Sequence, residues 1–297
     1  MYLVFDLGGT KLRVATSIDG KQLSPVEFFP SPSSYEAGLA IFRELALRFY
    51  GKERISAVAG GLAGSFERGG DRLITAGNIK DWTGKPIYAD LRKIFRAQVF
   101  LHNDAALAGL GEAHLGAGRG APIVAYFTLS TGFGGARITR GEIDESAFGF
   151  EPSFQIVDVG GAMCGVCRKN KSIRIVSHIS GNGILRHAGK KGEYIRDKRF
   201  WDDKAKYLAL ALNNSLVFWS PDVIVLGGSV MKSIPMNKVC MHLKNFAGKF
   251  MELPLSKKSG IGSFSTFLKK AELGERSALL GALIYLRQEL KNGKARG

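Results

Sequence analysis

Tyr2-Leu3-Val4-Phe5-Asp6-Leu7-Gly8-Gly9-Thr10-Lys11-Leu12-Arg13-Val14-Ala15-Thr16-Ser17 opens the chain with an apolar run, a glycine break and a second run of alternating character. Strand-forming residues on both sides of Gly8-Gly9 predict two strands joined by a tight turn. The pattern recurs. Ile123 to Leu129 is again an apolar run, Gly132-Phe133-Gly134-Gly135 breaks it, Ala136 to Thr139 resumes it and Arg140-Gly141 turns it. Two copies of strand, glycine break and strand in 297 residues predict a duplicated α/β unit. The pairs Gly8-Gly9 and Gly134-Gly135 are expected at equivalent points.

Working outward, Asp19-Gly20 reads as a turn into a third strand near Gln22 to Phe29. Leu39, Phe42, Leu45, Ala46 and Phe49 at three- and four-residue spacing predict a helix from about Tyr35 to Tyr50. Strands are expected at Ile55 to Gly60 and Gln98 to His102, with a helix from Ala105 to His114. Later, Asp222 to Leu226 is a buried strand ending in Gly227-Gly228, and Glu275 to Leu290 is an amphipathic helix before a basic tail. No Pro- or Ser-rich linker separates the copies. Two closely packed domains follow, residues 1–115 and 116–274, with the helix near 275–290 packing back onto the first.

Composition narrows the class. A 45% hydrophobic content suffices for one large core or two smaller ones. No apolar run is long enough for a bilayer, and the apolar opening is too short for a signal peptide. Cys164, Cys167 and Cys240 are odd in number and suggest no disulfide framework, so a cytoplasmic location is expected. The net charge is +16, and residues 168–206 hold twelve Lys and Arg against four Asp and Glu. Such a stretch binds polyanions through charge alone or is a solvated surface; it contains few aromatics and no nucleic-acid motif.

Glycines at a strand-to-strand turn let a ligand approach the backbone, whose N–H groups suit phosphate oxygens. A Gly-Gly pair is also an ordinary turn, and only the duplication favours two loops gripping one polyphosphate. Asp6, Thr10 and Lys11 surround the first loop, offering a carboxylate for Mg²⁺ through water, a hydroxyl and a cation. Ser130 and Thr131 bring hydroxyls to the second. Asn103-Asp104 lies between a strand and a helix. Asp104 there is either the helix N-cap or a base that takes a proton from an attacking hydroxyl.

These segments resemble the ROK family of repressors and sugar kinases within the actin/hexokinase superfamily. Asp6 to Lys11 is similar to its first phosphate motif and Leu129 to Gly135 to its second. Asn103-Asp104-Ala105-Ala106 with Gly111-Glu112 resembles the segment of its catalytic aspartate. Gly61 to Gly64 and Asn78 to Trp82 resemble its sugar-side loops, Val223 to Gly228 its adenosine loop, and Ser277 to Ala282 its closing helix. The resemblance implies an α/β chain of two ribonuclease-H-like domains with an interdomain cleft. It also implies ATP-dependent phosphorylation of a hexose or amino sugar, with Mg²⁺ as cofactor. Asp104 becomes the catalytic base, and Gly64, Asn78, Asn103, Asp104 and Glu151 the sugar-binding set. Asp6, Gly8, Gly9, Thr10, Lys11, Thr131, Gly132, Gly134, Gly227 and Gly228 become the nucleotide site. A homodimer is the assembly to test.

Departures from the family pattern bear on specificity. Phe154 stands where the family has a sugar-contacting, zinc-binding His, Arg174 where it has a further Cys, and Val176 where it has a Glu. Cys164 and Cys167 remain, and two thiolates do not complete a tetrahedral zinc site; His178 is the one nearby third ligand, and no zinc is expected. The alternative function is a nucleotide- and sugar-binding regulatory protein of the same fold with little or no turnover. The family's repressors carry an N-terminal helix-turn-helix, which is not expected here because the sequence opens on its first strand. Trp82 is either a sugar-stacking ring or a core anchor, and His102 is a strand-end histidine beside the catalytic pair.

The basic stretch generates one test. Binding of labelled single- and double-stranded nucleic acids, followed by anisotropy, should be weak, indifferent to sequence and lost roughly 10³-fold or more between low and physiological salt. Tight, sequence-dependent binding at physiological salt would return the chain to the regulatory class.

Overall fold

The computed structural model describes residues 1–49, 53–67, 72–77, 79–144, 146, 149–159, 172–248 and 264–293. The chain divides into two compact units, one of residues 1–115, 145–149 and 275–297, the other of residues 116–144 and 150–274.

In the first unit, β1 (Tyr2–Leu7), β2 (Lys11–Ser17), β3 (Glu27–Pro30), β4 (Ala57–Leu62) and β7 (Gln98–Asn103) form one sheet in the order β3-β2-β1-β4-β7. The short β5 (Ser65–Phe66) and β6 (Leu73–Thr75) pair separately. The first three strands are antiparallel neighbours, whereas β4 and β7 run parallel to β1. In the second unit, β8 (Ile123–Leu129), β9 (Phe133–Thr139), β10 (Glu142–Ile143), β13 (Val223–Gly227) and β14 (Leu268–Lys270) repeat this with the order β10-β9-β8-β13-β14 and the same directions. The duplication read from the glycine breaks is thus a duplication of sheet topology, as two ribonuclease-H-like units require. A further hairpin, β11 (Ile156–Val159) with β12 (Ser172–Arg174), belongs to the second unit.

The inner strands read as unbroken apolar runs because both of their faces are covered. Residues 3–7 of β1, all of β4 and all of β13 are buried. In the first unit, α1 (Tyr35–Phe49), α2 (Ile87–Phe95) and α3 (Asp104–Leu115) flank the sheet. The second unit uses α4 (Val176–Ile179), α5 (Gly181–Ala188), α6 (Lys198–Trp219), α7 (Met236–Ala247) and the short α8 (Phe264–Phe267). Finally α9 (Ser277–Lys291) returns to the first unit and packs on α3, β1 and β4.

Several boundaries differ from the sequence reading for local reasons. The third strand is the short β3, because Asp19 holds the preceding turn. Its Oδ1 accepts hydrogen bonds from the Lys21 and Gln22 amides at 2.8 and 2.9 Å. Gly134 and Gly135, expected in the second glycine break, lie inside β9 opposite Thr128 and Phe127. The loop proper is Ser130-Thr131-Gly132, so the equivalent of Gly8-Gly9 is that segment and not Gly134-Gly135. Gly135 serves packing instead, since a Cβ there would stand 2.9 Å from Pro152 and 3.0 Å from the Phe127 ring.

Trp82 is a core anchor and not a sugar-stacking ring: it is 1% exposed and meets Tyr35 edge-on at 5.0 Å. Glycine at position 38 makes room for it, because a Cβ there would lie 2.3 Å from the indole. Tyr35 opens α1 with its amide donating to Asp81 at 2.7 Å and its hydroxyl donating to Asp90 at 2.6 Å. Burial, with the Asp90 carboxylate as acceptor, pushes the Tyr35 phenol well above its ordinary pKa.

The tightest approach in the first unit is between α3 and α9. A Cβ on Gly281 would lie 1.7 Å from the Leu107 carbonyl oxygen, and one on Gly111 would lie 2.3 Å from that of Ser277. Helices meeting at backbone distance tolerate no side chain. Gly281→Ala should therefore cost roughly 1–3 kcal/mol or more in urea unfolding, and Trp82→Ala about 3–5 kcal/mol. Unchanged midpoints would refute these two packing assignments.

Candidate functional site

The first loop is closed by its own backbone and fastened from outside. The β1–β2 ladder ends at the pair Leu7 and Leu12, and the Gly8 amide donates to the Lys11 carbonyl at 3.0 Å. Ser31 holds the other side, its hydroxyl donating to the Gly8 carbonyl at 3.0 Å and its amide to the Thr10 carbonyl at 3.1 Å. A Cβ on Gly8 would come no nearer than 3.7 Å to its surroundings, and φ is not positive there. Neither strain nor packing requires glycine at this position.

The second loop is built the same way by different residues. The Ser130 amide donates to the Gly132 carbonyl at 3.0 Å. The start of α5 fastens it, with the Gly181 amide donating to the Ser130 carbonyl at 2.7 Å and the Asn182 amide to the Thr131 carbonyl at 3.3 Å. A Cβ on Gly132 would meet nothing within 4 Å. Gly228 sits against the same loop at φ +93°, where a Cβ would lie 2.1 Å from the Leu129 carbonyl oxygen. Gly227 leaves room for the Tyr126 hydroxyl, 2.6 Å from where its Cβ would be. Thr131, Gly132, Gly227 and Gly228 are therefore neighbours, with Gly134 on the adjoining strand.

Charge at the first loop is arranged in alternation. Asp6 is only 7% exposed and accepts from Arg13 Nη1 at 2.9 Å. Arg13 Nη2 donates to Glu275 at 3.4 Å, and the same Glu275 oxygen lies 3.6 Å from the Lys11 ammonium. Burial pushes the Asp6 carboxyl above its ordinary value against the opposing pull of Arg13. A carboxylate so enclosed and already holding a guanidinium fits an outer-sphere role toward Mg²⁺, through water. Among the described residues no group of three His, Cys, Asp or Glu is placed to hold a metal ion.

Asn103 and Asp104 stand where β7 passes into α3, and the structure divides their labour. Asn103 is the cap, its Oδ1 accepting from the Ala106 amide at 3.0 Å and its Nδ2 donating to the Gly64 carbonyl at 3.0 Å. Asp104 occupies the first helical position, with its Oδ1 accepting from the Ala105 amide at 2.8 Å. Gly60 and Gly61 of β4 face opposite sides of the sheet, as alternation demands. A Cβ on Gly60 would strike the Phe5 ring at 2.2 Å, and one on Gly61 would sit 3.1 Å from the Asp104 Cα. Gly64 admits no Cβ either, for Thr75 O lies 2.0 Å from that point. His102 steadies the turn, its Nδ1 accepting from the Asn103 amide at 2.9 Å.

In the second unit Glu151 is exposed and accepts from the Ser153 hydroxyl at 3.4 Å. Two of the three positions read as departures from the family pattern touch each other: the Arg174 guanidinium lies over the Phe154 ring, 4.5 Å from its centre. His178 is buried and stacked on Tyr207 at 3.9 Å, with His187 edge-on at 5.1 Å. Burial, helped by Lys204 and Arg186, pushes the His187 imidazole down. Asn78, Cys164 and Cys167 lie outside the described residues. The sequence reading missed Ser31, Arg13, Gly181, Asn182 and Glu275. Ser180-Gly181-Asn182-Gly183, a polar glycine cluster between apolar runs, was the available signal for one group.

Known proteins resemble this chain. The chain is 27% identical to an N-acetyl-D-glucosamine kinase of Yersinia pseudotuberculosis, covering 95% of this chain and 97% of the relative. It is 26% identical to a glucokinase of Thermotoga maritima, covering 77% and 81% respectively. The ROK hexokinase of Thermus thermophilus superposes with a TM-score of 0.77 at 25% identity, covering 98% of this chain and 99% of that one. Among the described residues no helix is long and apolar enough to cross a membrane. The ROK family model matches residues 2–289, from the first strand, through both glycine loops and the Asn103-Asp104 turn, almost to the end of α9; the chain belongs to the ROK family.

Proposed function

We propose that the protein transfers the γ-phosphoryl group of ATP to a hydroxyl of a hexose or amino sugar, with Asp104 as the general base. The observation that carries this is the division at the start of α3. The cap is made by Asn103, and one oxygen of the Asp104 carboxylate accepts from the Ala105 amide, which together hold that carboxylate at the head of α3 beside Gly61. Membership of the ROK family and the sugar-kinase relatives at 26% and 27% identity support the reaction class.

In this reading Asp104 takes the proton of the acceptor hydroxyl as it attacks the γ-phosphorus. Asn103, Gly64, Asn78 and Glu151 bind the sugar. Gly8, Gly9, Thr10 and Lys11 meet the phosphate oxygens with loop backbone, a hydroxyl and a cation, and Thr131, Gly132 and Gly134 meet them from the second loop and the start of β9. Gly227 and Gly228 belong to the adenosine side. Mg²⁺, when bound, would offset phosphate charge, with Asp6 holding it through water. The Phe154–Arg174 pair in place of the family's His and Cys favours an acceptor other than glucose, or a regulatory protein with weak turnover. A panel of hexoses, amino sugars and N-acetylated sugars decides between them.

Asp104→Asn preserves shape while removing the proton acceptor. Turnover on the best sugar should fall about 10²–10⁴-fold with ATP affinity and thermal stability nearly unchanged. Near-normal turnover would refute the assignment. For the second loop, Gly132→Ala should leave the unfolding midpoint unchanged, because its Cβ meets nothing within 4 Å. It should also reduce the ATP-dependent thermal shift; a full shift would remove Gly132 from the nucleotide site.

A further inference from the structure

The alternating charges at the first loop end in a residue that the phosphoryl-transfer reading leaves without a task. Glu275 lies one turn before α9, with one carboxylate oxygen 3.4 Å from Arg13 and 3.6 Å from Lys11. We propose that Glu275 is a built-in anion that holds Lys11 away from substrate and competes with the nucleotide's phosphates for it. This rests on the first loop being the phosphate site of ATP.

The geometry distinguishes the two cations that share Glu275. Arg13 is largely enclosed, with side-chain exposure of 19%, and its other terminal nitrogen is committed to Asp6 at 2.9 Å. It is the fixed member. Lys11 is half exposed, and its ammonium otherwise lies over the Phe28 ring at 5.6 Å. A compact ammonium on a flexible stem can change partners, whereas a guanidinium held at both ends stays in place. Lys11 directly follows Gly8-Gly9-Thr10, so an anion on the open loop meets the same charge that Glu275 now holds.

The carboxylate is also held in place. The segment before α9 is anchored by the close approach of Gly281 to Leu107 and of Ser277 to Gly111. Although burial works against ionisation, Arg13 and Lys11 prevail and keep the Glu275 carboxyl below its ordinary value. An arriving polyphosphate therefore takes Lys11 from a paired carboxylate and then lies near that like charge. Both effects lower affinity and speed release, leaving the loop's cation neutralised between turnovers.

Calorimetric titration of ATP and of AMP into the full chain, at low and high salt, tests the sign of the effect. Glu275→Gln should bind ATP roughly three- to tenfold more tightly than the parent at low salt. AMP, lacking the outer phosphates, should bind with unchanged affinity. Glu275→Asp should resemble the parent, and added salt should narrow the Gln-variant difference. Glu275 is more than half exposed, so these variants should fold, which unfolding midpoints will verify. Weaker or unchanged ATP binding by the Gln variant, or equal tightening of AMP, would overturn the proposal while leaving the nucleotide site standing. A parent protein that binds no ATP would remove both.

Discussion

The close approach of α3 and α9 is the constraint on which the first unit depends. Leu107 and Gly111 on one helix meet Gly281 and Ser277 on the other with no room for a single added carbon. That contact fixes the body of α3, and so the position of Asp104 at its start. It equally fixes the run-up to α9, and so the position of Glu275 beside the first loop. Gly61 completes the arrangement by letting Asp104 sit against β4. Glycine matters here for what it omits, since each position is set by backbone-to-backbone distance and not by conformational freedom.

Two kinds of glycine thus serve two purposes. At positions 38, 60, 61, 64, 111, 228 and 281 a Cβ would meet neighbouring atoms at between 1.7 and 3.1 Å, so packing explains the residue. At Gly8 and Gly132 nothing comes closer than 3.7 Å, and packing explains nothing. The open glycines lie on the two loops whose carbonyls are tied back by Ser31 and by the start of α5. A loop with engaged carbonyls and no side chain above its amides is suited to an anionic ligand.

The Phe154–Arg174 contact links two segments of the second unit. A cation resting on an aromatic face at an exposed site such as this contributes roughly 0.5–1 kcal/mol. The pair joins the short helical turn at Pro152–Phe154 to β12, while the Ile175 amide donates to the Gln155 carbonyl at 2.9 Å.

Much was legible in the amino-acid order. The apolar runs and glycine breaks gave the duplicated unit, because strand burial and turn formation are local demands written in nearby residues. The positions of Asp104 and of both loops followed from the same punctuation. Choices that depend on distant partners were not legible. The cap of α3 and the glycines of the second loop turned on local pairings whose register the apolar pattern leaves open, but whether Trp82 faces a ligand or a core was decided by neighbours far along the chain. So was the link from Glu275 to Lys11 and Arg13, 264 and 262 residues away. Sequence by itself determined the local elements, since periodicity and turn chemistry act over a few residues; only the tertiary structure decided the role of each polar group and glycine, since hydrogen bonding, burial and steric exclusion depend on what the fold brings alongside.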